Sequence, residues 1–232
     1  MHRFFVDVSP AERALLTGEQ ARQIATVLRL RPGDRVLLIA DRVEHEVELQ
    51  AVAPALVSGK VVARRTVATE LPFRLTLAVP LLKGDRAEEV IEAASQLGVD
   101  RFVPFTATRS VVRELTAAKR ERWQKIAREA AETAHRGVVP EIDAPATWDA
   151  LFGRLAGRIV VCWEEAAEPR LTDVVGGDVV ALVVGPEGGL TADEIAVARE
   201  HGAAIASLGR RILRAETAGI AAVAMVVGAR DR

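Results

Sequence analysis

Two short stretches near the C-terminal end of this chain hold residues whose types and spacing can do chemistry. The first is Ser207-Leu208-Gly209-Arg210-Arg211-Ile212-Leu213-Arg214-Ala215-Glu216-Thr217-Ala218. Arg210, Arg211 and Arg214 flank two large aliphatics there. A guanidinium stays charged and donates hydrogen bonds in a planar fork, so it can grip a phosphate or stabilise an anion as it develops. Leu208, Ile212 and Leu213 would then form an apolar slot beside Arg214. The plainer reading is a basic loop capped by the helix that follows, with Glu216 and Thr217 satisfying amides of its first turn.

The second stretch is Val183-Val184-Gly185-Pro186-Glu187-Gly188-Gly189-Leu190. It follows a short apolar run and precedes a helical pattern. Glycines let backbone approach a ligand closely because no Cβ intervenes, Pro186 stiffens the turn, and Glu187 places an acid at its edge. The spacing is not that of the dinucleotide fingerprint, and no Lys-Ser/Thr follows as in a phosphate-binding Walker loop. Taken alone, such a turn is as consistent with tight structural packing as with a ligand loop.

Other chemistry has less support. The single cysteine, Cys162, lies in the apolar run Ile159–Trp163 and reads as an inert buried thiol. His2, His45, His135 and His201 are scattered, and no His/Cys group has metal-ligand spacing, so no metal is expected. Apolar runs such as Ile220–Val227 and Val179–Val184 are far too short to span a bilayer, and the N-terminus does not read as a signal peptide. A cytoplasmic protein without a membrane partner is expected. The formal net charge of −1 is not the footprint of a non-specific nucleic-acid binder. The basic residues nevertheless gather locally, at Arg29/Arg31/Arg35, Arg64/Arg65, Arg109/Arg113, Lys119/Arg120/Arg122 and Arg210/Arg211/Arg214. Each cluster is read more simply as solvated surface balanced by neighbouring acids.

The elements that must position these loops fall into two patterns. Residues 1–70 look β-rich. Arg3–Val8 predicts a strand, and Thr17–Leu30 a helix with Ile24, Val27 and Leu28 on one face. The turn at Arg31-Pro32-Gly33-Asp34 leads to strands at Val36–Ala40, Val43–Ala53 and Gly59–Ala68. In the second of these, Val43, His45, Val47, Leu49 and Ala51 alternate with Glu44, Glu46, Glu48 and Gln50, which predicts one buried and one wet face. Several short strands around one helix suggest a small barrel. From Leu71 onward strands alternate with helices: Phe73–Leu82, Asp85–Leu97, Arg101–Phe105, Thr116–His135, Ile159–Trp163, Val179–Val184, Ala192–His201, Ile205–Leu208 and Ala215–Gly228. That order predicts an α/β domain over 71–232, a parallel sheet covered on both faces.

The pair GPEGGL and LGRRILRAETA resembles the C-terminal signature of the SPOUT methyltransferases, and more closely the 16S ribosomal RNA uridine-N3 methyltransferase family (ribosomal RNA small subunit methyltransferase E). The opening HRFFV, VLRLRPGDRVLL (Val27–Leu38), LLKGDR (Leu81–Arg86), QLGVDRFVPF (Gln96–Phe105), TRSVVR (Thr108–Arg113) and RWQKIAREAAE (Arg122–Glu132) resemble that family in order, nearly end to end. The resemblance implies a PUA-like RNA-binding β-barrel over 1–70 and a trefoil-knotted SPOUT α/β domain over 71–232, working as a homodimer. It implies S-adenosyl-L-methionine as cofactor and methylation of N3 of a specific uridine in 16S rRNA of the small ribosomal subunit. The cofactor would lie against Leu182, Gly185, Pro186, Glu187, Gly188, Gly189, Leu208, Gly209, Ile212, Leu213, Thr217 and Ala218. Arg214 would stabilise negative charge on the uracil, while Glu187 and Glu216 are the carboxylates available to take its proton, with loop stitching or helix capping as their plainer roles. Arg3, Arg29, Arg31, Lys83, Arg109, Arg210 and Arg211 would face RNA. The same class of chemistry on another RNA would also fit these loops; an assembly factor that binds RNA without turnover is the other reading, which the intact loops disfavour because a pure binder would not need a cofactor slot.

Overall fold

The computed structural model describes residues 1–231. The chain divides into two compact units, residues 1–70 with 131–139, and residues 71–130 with 140–232.

The first unit is built on five strands: β1 (His2–Phe5), β2 (Arg13–Thr17), β3 (Arg35–Ala40), β4 (Val43–Val52) and β5 (Leu56–Thr66). Their order is β1-β3-β4-β5-β2, with β1 parallel to β3 and the other pairs antiparallel. The five strands form one sheet, and among the described residues no ladder joins its edge strands β1 and β2. One short helix, α1 (Gly18–Arg22), runs into a π-helical turn over Gln23–Val27. That wider turn rotates the apolar stripe. Ile24 is buried as expected, but Val27 is 70% exposed.

The wet face expected on β4 also fails at one position. Register shifts beside Glu46 and Leu49 break the alternation, and Glu44 is buried between Arg3 and Arg65. Burial pushes the Glu44 carboxyl up. Hydrogen bonds from Arg65 and Arg3 outweigh that and leave it below the usual carboxylate range. Residues 131–139 complete this unit. Arg136 is 2% exposed and donates to Glu70 at 2.8 Å, while Ala131 and Val139 pack with Phe5, Leu37, Ile39 and Val67.

The second unit carries seven strands: β6 (Arg74–Pro80), β7 (Arg101–Thr106), β8 (Glu141–Ile142), β9 (Ala146–Thr147), β10 (Arg158–Cys162), β11 (Val179–Val184) and β12 (Ala204–Ala206). They run parallel in the order β12-β10-β11-β6-β7-β8, with β9 also on β7. The helices are α2 (Arg86–Gln96), α3 (Ala117–Thr133, its last residues in the first unit), α4 (Trp148–Leu151), α5 (Leu171–Val174), α6 (Ala192–Glu200) and α7 (Ala215–Arg230).

Alternate strand residues feed two cores, which is why these strands read as almost unbroken apolar runs. Leu75, Leu77, Val79, Val180 and Leu182 face α2 and α7. Ala78, Val103, Phe105, Val161, Ala181 and Val183 face Trp148, Phe152 and Ile195. The strand expected to reach Leu208 stops at Ala206, which leaves Leu208 in a loop.

Candidate active site

Parallel strands present their carboxyl ends on one edge, where an open α/β sheet places its ligands. Here β10, β11 and the last short strand, β12, end together and open a cavity of about 470 Å³. That volume lies within the range of small-molecule sites, roughly 300–1,000 Å³. The glycine loop after β11 and the arginine loop after β12, separated in sequence by α6 and β12, are both in its wall.

The glycine loop is fixed from several sides. Gly189 donates to the Pro186 carbonyl at 2.9 Å and has φ +72°, a left-handed backbone that favours glycine. Gly188 lies so close to the neighbouring 107–113 segment that an added Cβ would sit 2.7 Å from Cβ of Arg109. Arg109 donates to the Gly188 carbonyl at 3.1 Å, and Arg113 donates to the carbonyls of Ala107 and Thr108. Behind the loop, Thr191 and Glu194 cap α6 reciprocally, and Glu194 also accepts from the Thr108 amide at 2.7 Å. The cap explains why the loop turns directly into a helix.

The arginine loop leaves β12 at Ser207. The Ser207 amide donates to the Pro169 carbonyl and its carbonyl accepts from the Leu171 amide, so the chain there lies between β10 and the 169–171 segment. Gly209, at φ +116°, reverses the chain in open space. The loop then ends at Arg214, the residue before α7. Ala218 donates to the Arg214 carbonyl at 2.7 Å and closes the first turn.

Of the expected cofactor residues, Gly185, Pro186, Glu187, Gly189, Leu208, Gly209, Ile212, Leu213 and Ala218 line the cavity. Leu182 is instead fully buried in the core within β11, Thr217 is exposed outside the wall, and Gly188 makes its close approach to Arg109. Arg214, Glu187 and Glu216 all line the cavity. The guanidiniums of Arg210, Arg211 and Arg214 are exposed and have no protein partner among the described residues. Arg211 lines the cavity and Arg210 does not.

Among the other expected RNA contacts, Lys83 and Arg109 are exposed beside the glycine loop, with the Lys83 amide donating to Glu187 at 3.2 Å. Arg29 and Arg31 are exposed in the first unit. Arg3 is different: it is 7% exposed and bonded to Glu44 and the Arg136 carbonyl, so its charge serves the interior of that unit. Phe4, Phe5 and Trp123 are core residues, whereas Trp163 is half-buried and lines the cavity.

The sequence reading missed Arg86, Glu164 and Trp163 as members of this wall. Arg86 stands at the start of α2, with Nη1 3.6 Å from Glu187 and Nε 3.9 Å from Glu216. It was visible only as the last letter of LLKGDR. Glu164 sets its carboxylate against the open side of Gly189, where an added Cβ would meet Oε1 at 1.9 Å. Cys162 closes the floor. Its burial pushes the thiol up to about 12, so at neutral pH it is a protonated apolar wall rather than a nucleophile.

This wall suits a ligand that is part apolar, part charged and rich in hydrogen-bonding edges. The backbone amides of Leu208, Ile212 and Leu213 have no partner within the described residues, so they are available to a heterocycle or a carboxylate. Three carboxylates and three guanidiniums line the same cavity, so groups of either charge on a ligand could find a partner there. No group of three His, Cys, Asp or Glu suited to a metal occurs among the described residues.

Comparison with known proteins places this geometry. The RNA methyltransferase domain family matches residues 69–227. The chain is 34% identical to ribosomal RNA small subunit methyltransferase E of Bacillus subtilis, over 97% of this chain and 96% of that protein. The protein of the same name from Mycobacterium tuberculosis is 32% identical, over 96% and 90%. The crystal structure of ribosomal RNA small subunit methyltransferase E from Neisseria gonorrhoeae bound to S-adenosyl methionine superposes with a TM-score of 0.90 at 27% identity, covering 98% of this chain and 97% of that one.

Proposed function

Since this chain belongs to the ribosomal RNA small subunit methyltransferase E family, we propose that it uses S-adenosylmethionine to methylate N3 of a specific uridine in 16S ribosomal RNA. The observation that carries this reading is the convergence of both loops on one cavity, with the partnerless guanidinium of Arg214 in its wall.

Bound there, S-adenosylmethionine supplies a methyl group on a positively charged sulfur. The residues that would hold it are the backbone of Leu208, Ile212 and Leu213, the glycine loop at Gly185–Gly189, and the apolar faces of Leu208 and Trp163. N3 of uracil is a weak acid, and its electrons spread onto the flanking carbonyl oxygens as the proton leaves. Arg214 is the donor suited to those oxygens, because it stays charged and lines the cavity where α7 begins. A carboxylate within hydrogen-bond reach must take or guide the proton, and Glu187 and Glu216 are both in the wall. N3 lies on the pairing edge, so the target base must be unpaired or turned out of its helix. Arg29, Arg31, Lys83, Arg109, Arg210 and Arg211 are the exposed cations that would meet RNA phosphates.

The same reading includes a PUA-like role for the first unit, a trefoil knot in the second, a homodimer and a cytoplasmic setting. The passage of Ser207 between β10 and the 169–171 segment supports a threaded chain. The exposed Ile212 and Val111 support a covered face. No helix among the described residues is long and apolar enough to cross a membrane.

The test is transfer of labelled methyl from S-adenosylmethionine to small subunits lacking their methyl groups, with the product nucleoside identified by mass. N3-methyluridine from the wild type is expected. Arg214→Ala should lose roughly 10²–10³-fold in rate while keeping cofactor affinity. Good cofactor binding without transfer to any 16S substrate would end the substrate assignment.

A further inference from the structure

Three carboxylates line the cavity, and their surroundings differ. Glu164 is exposed and leans on Gly189. Glu187 already accepts the Lys83 amide at 3.2 Å, and Arg86 Nη1 lies 3.6 Å from the same oxygen. That carboxylate ties the glycine loop to the chain leading into α2. Glu216 is 9% exposed, and its Oε2 has no hydrogen-bond partner, while Oε1 lies 3.9 Å from Arg86 Nε. Among the described residues it is the cavity-lining side chain with a buried, unpaired polar atom.

Leaving such an oxygen without a donor costs free energy, so the place asks for a hydrogen-bond donor brought by a ligand. An ionised carboxylate can only accept. Uracil presents one N–H on its pairing edge, between two carbonyl oxygens. That N–H is a donor suited to the unpaired Oε2, and its flanking carbonyl oxygens suit the guanidinium of Arg214 in the same cavity wall. Glu216 and Arg214 are two positions apart at the start of α7, so one rigid turn carries both. Arg86 reaches both Glu216 and Glu187, and at Glu216 it lies 3.9 Å from Oε1, the oxygen that is not left unpaired.

Resting on the function proposed above, we infer that Glu216, positioned by Arg86, is the group that accepts the uridine N3 proton, and that Glu187 is a loop tie without a part in proton transfer. The N3–H bond breaks with its electron pair left on nitrogen and the proton on Oε2 of Glu216. That pair bonds the methyl carbon as the carbon–sulfur bond opens, and sulfur keeps those electrons as a neutral thioether.

The experiment compares wild type, Glu216→Gln, Glu216→Asp and Glu187→Gln. It measures S-adenosylmethionine affinity by calorimetry, single-turnover methyl transfer to unmethylated small subunits across pH, and the affinity of S-adenosylhomocysteine-loaded enzyme for subunits carrying uridine or N3-methyluridine at the target. Glu216→Gln should keep cofactor affinity, lose at least about 100-fold in rate near neutral pH, and regain rate at about tenfold per pH unit as solvent base takes over. It should also lose most of the wild-type preference for uridine over N3-methyluridine in binding. Glu216→Asp should restore part of the rate, and Glu187→Gln, which alters the cofactor wall, should change the rate only in step with cofactor affinity and without the new pH dependence of Glu216→Gln. An unchanged rate and profile in Glu216→Gln, or a rate loss fully explained by weaker cofactor binding, would overturn the assignment and leave the methyltransferase reading intact. Wild type that forms no N3-methyluridine would overturn that reading itself.

Discussion

At the scale of single residues, the cavity depends on atoms that are missing as much as on those present. Gly188 has no Cβ where one would lie 2.7 Å from Cβ and 3.1 Å from the carbonyl oxygen of Arg109, and backbone there cannot move cheaply. Gly188→Ala should lower stability by about 1–3 kcal/mol, as overpacking does. It should also weaken cofactor affinity, because the loop must shift; urea melts and calorimetry check both effects. At Gly189 the nearest atom is the flexible end of Glu164, so the expected cost there comes from the left-handed backbone. Cys162 gives a test in pH. Its thiol is raised from an ordinary 9.0 to about 12. The unfolded chain therefore loses that proton first, and the contribution to stability is full below about pH 9 and is lost as pH rises toward 12. Cys162→Ala should show a smaller loss of stability between pH 8.5 and 10.5 in urea melts. The native thiol should also resist alkylation at pH 8.

At the scale of elements, α7 is the part on which chemistry and packing meet. It starts with Arg214 and Glu216 in the cavity wall and continues along α2, where Gly219 leaves room for Val90. A Cβ at Gly219 would already lie 3.2 Å from Cγ1 of Val90. Gly219→Val should destabilise by about 1–3 kcal/mol. It should also lower methyl transfer through the shifted start of α7, read by comparing melts with single-turnover rates. Most of these elements were legible in the sequence, because the buried strands are short apolar runs and the helices keep their period. Val179–Val184 and the start of α7 at Ala215 needed no tertiary information. The misses have local causes. The two-residue strands β8 and β9 and the short helices α4 and α5 are too brief to show a period. The π-helical turn moved Val27 outward, and Glu44 is buried only because Arg3 and Arg65 arrive from other strands. Both site loops stood out through glycine and arginine spacing. Arg86 and Glu164 did not, since a residue at a helix start or in an exposed loop gains its meaning from what folds against it.

At the scale of the whole molecule, the boundary at Glu70 and Leu71 is easy to see, but the first unit does not end there. It takes in residues 131–139, and Arg136 from that segment is the buried partner of Glu70. Residues 1–70 made alone would leave the Glu70 carboxylate without its guanidinium. They would also leave Phe5, Leu37 and Ile39 without Ala131 and Val139. Breaking a buried pair from one side typically costs about 3–5 kcal/mol, a large share of what a unit this small has available. The fragment 1–70 should therefore melt without a cooperative transition in calorimetry. Joining 131–139 to it through a flexible linker should restore one.

This interleaving has a consequence for synthesis. A ribosome delivers the chain from its N-terminus, so the first unit cannot close until residue 139 has emerged, well into the helical and strand segments of the second. The cavity waits longer still. With only residues up to Glu200 outside the exit tunnel, β6, β7, β10 and β11 and the glycine loop exist, but Ser207, Arg214 and Glu216 do not. The chain at Ser207 must settle between β10 and the 169–171 segment before there is a site at all. A nascent chain exposed only as far as Glu200 would thus carry most of the sheet without the arginine loop, and emergence of residues 201–218 would complete the cavity wall.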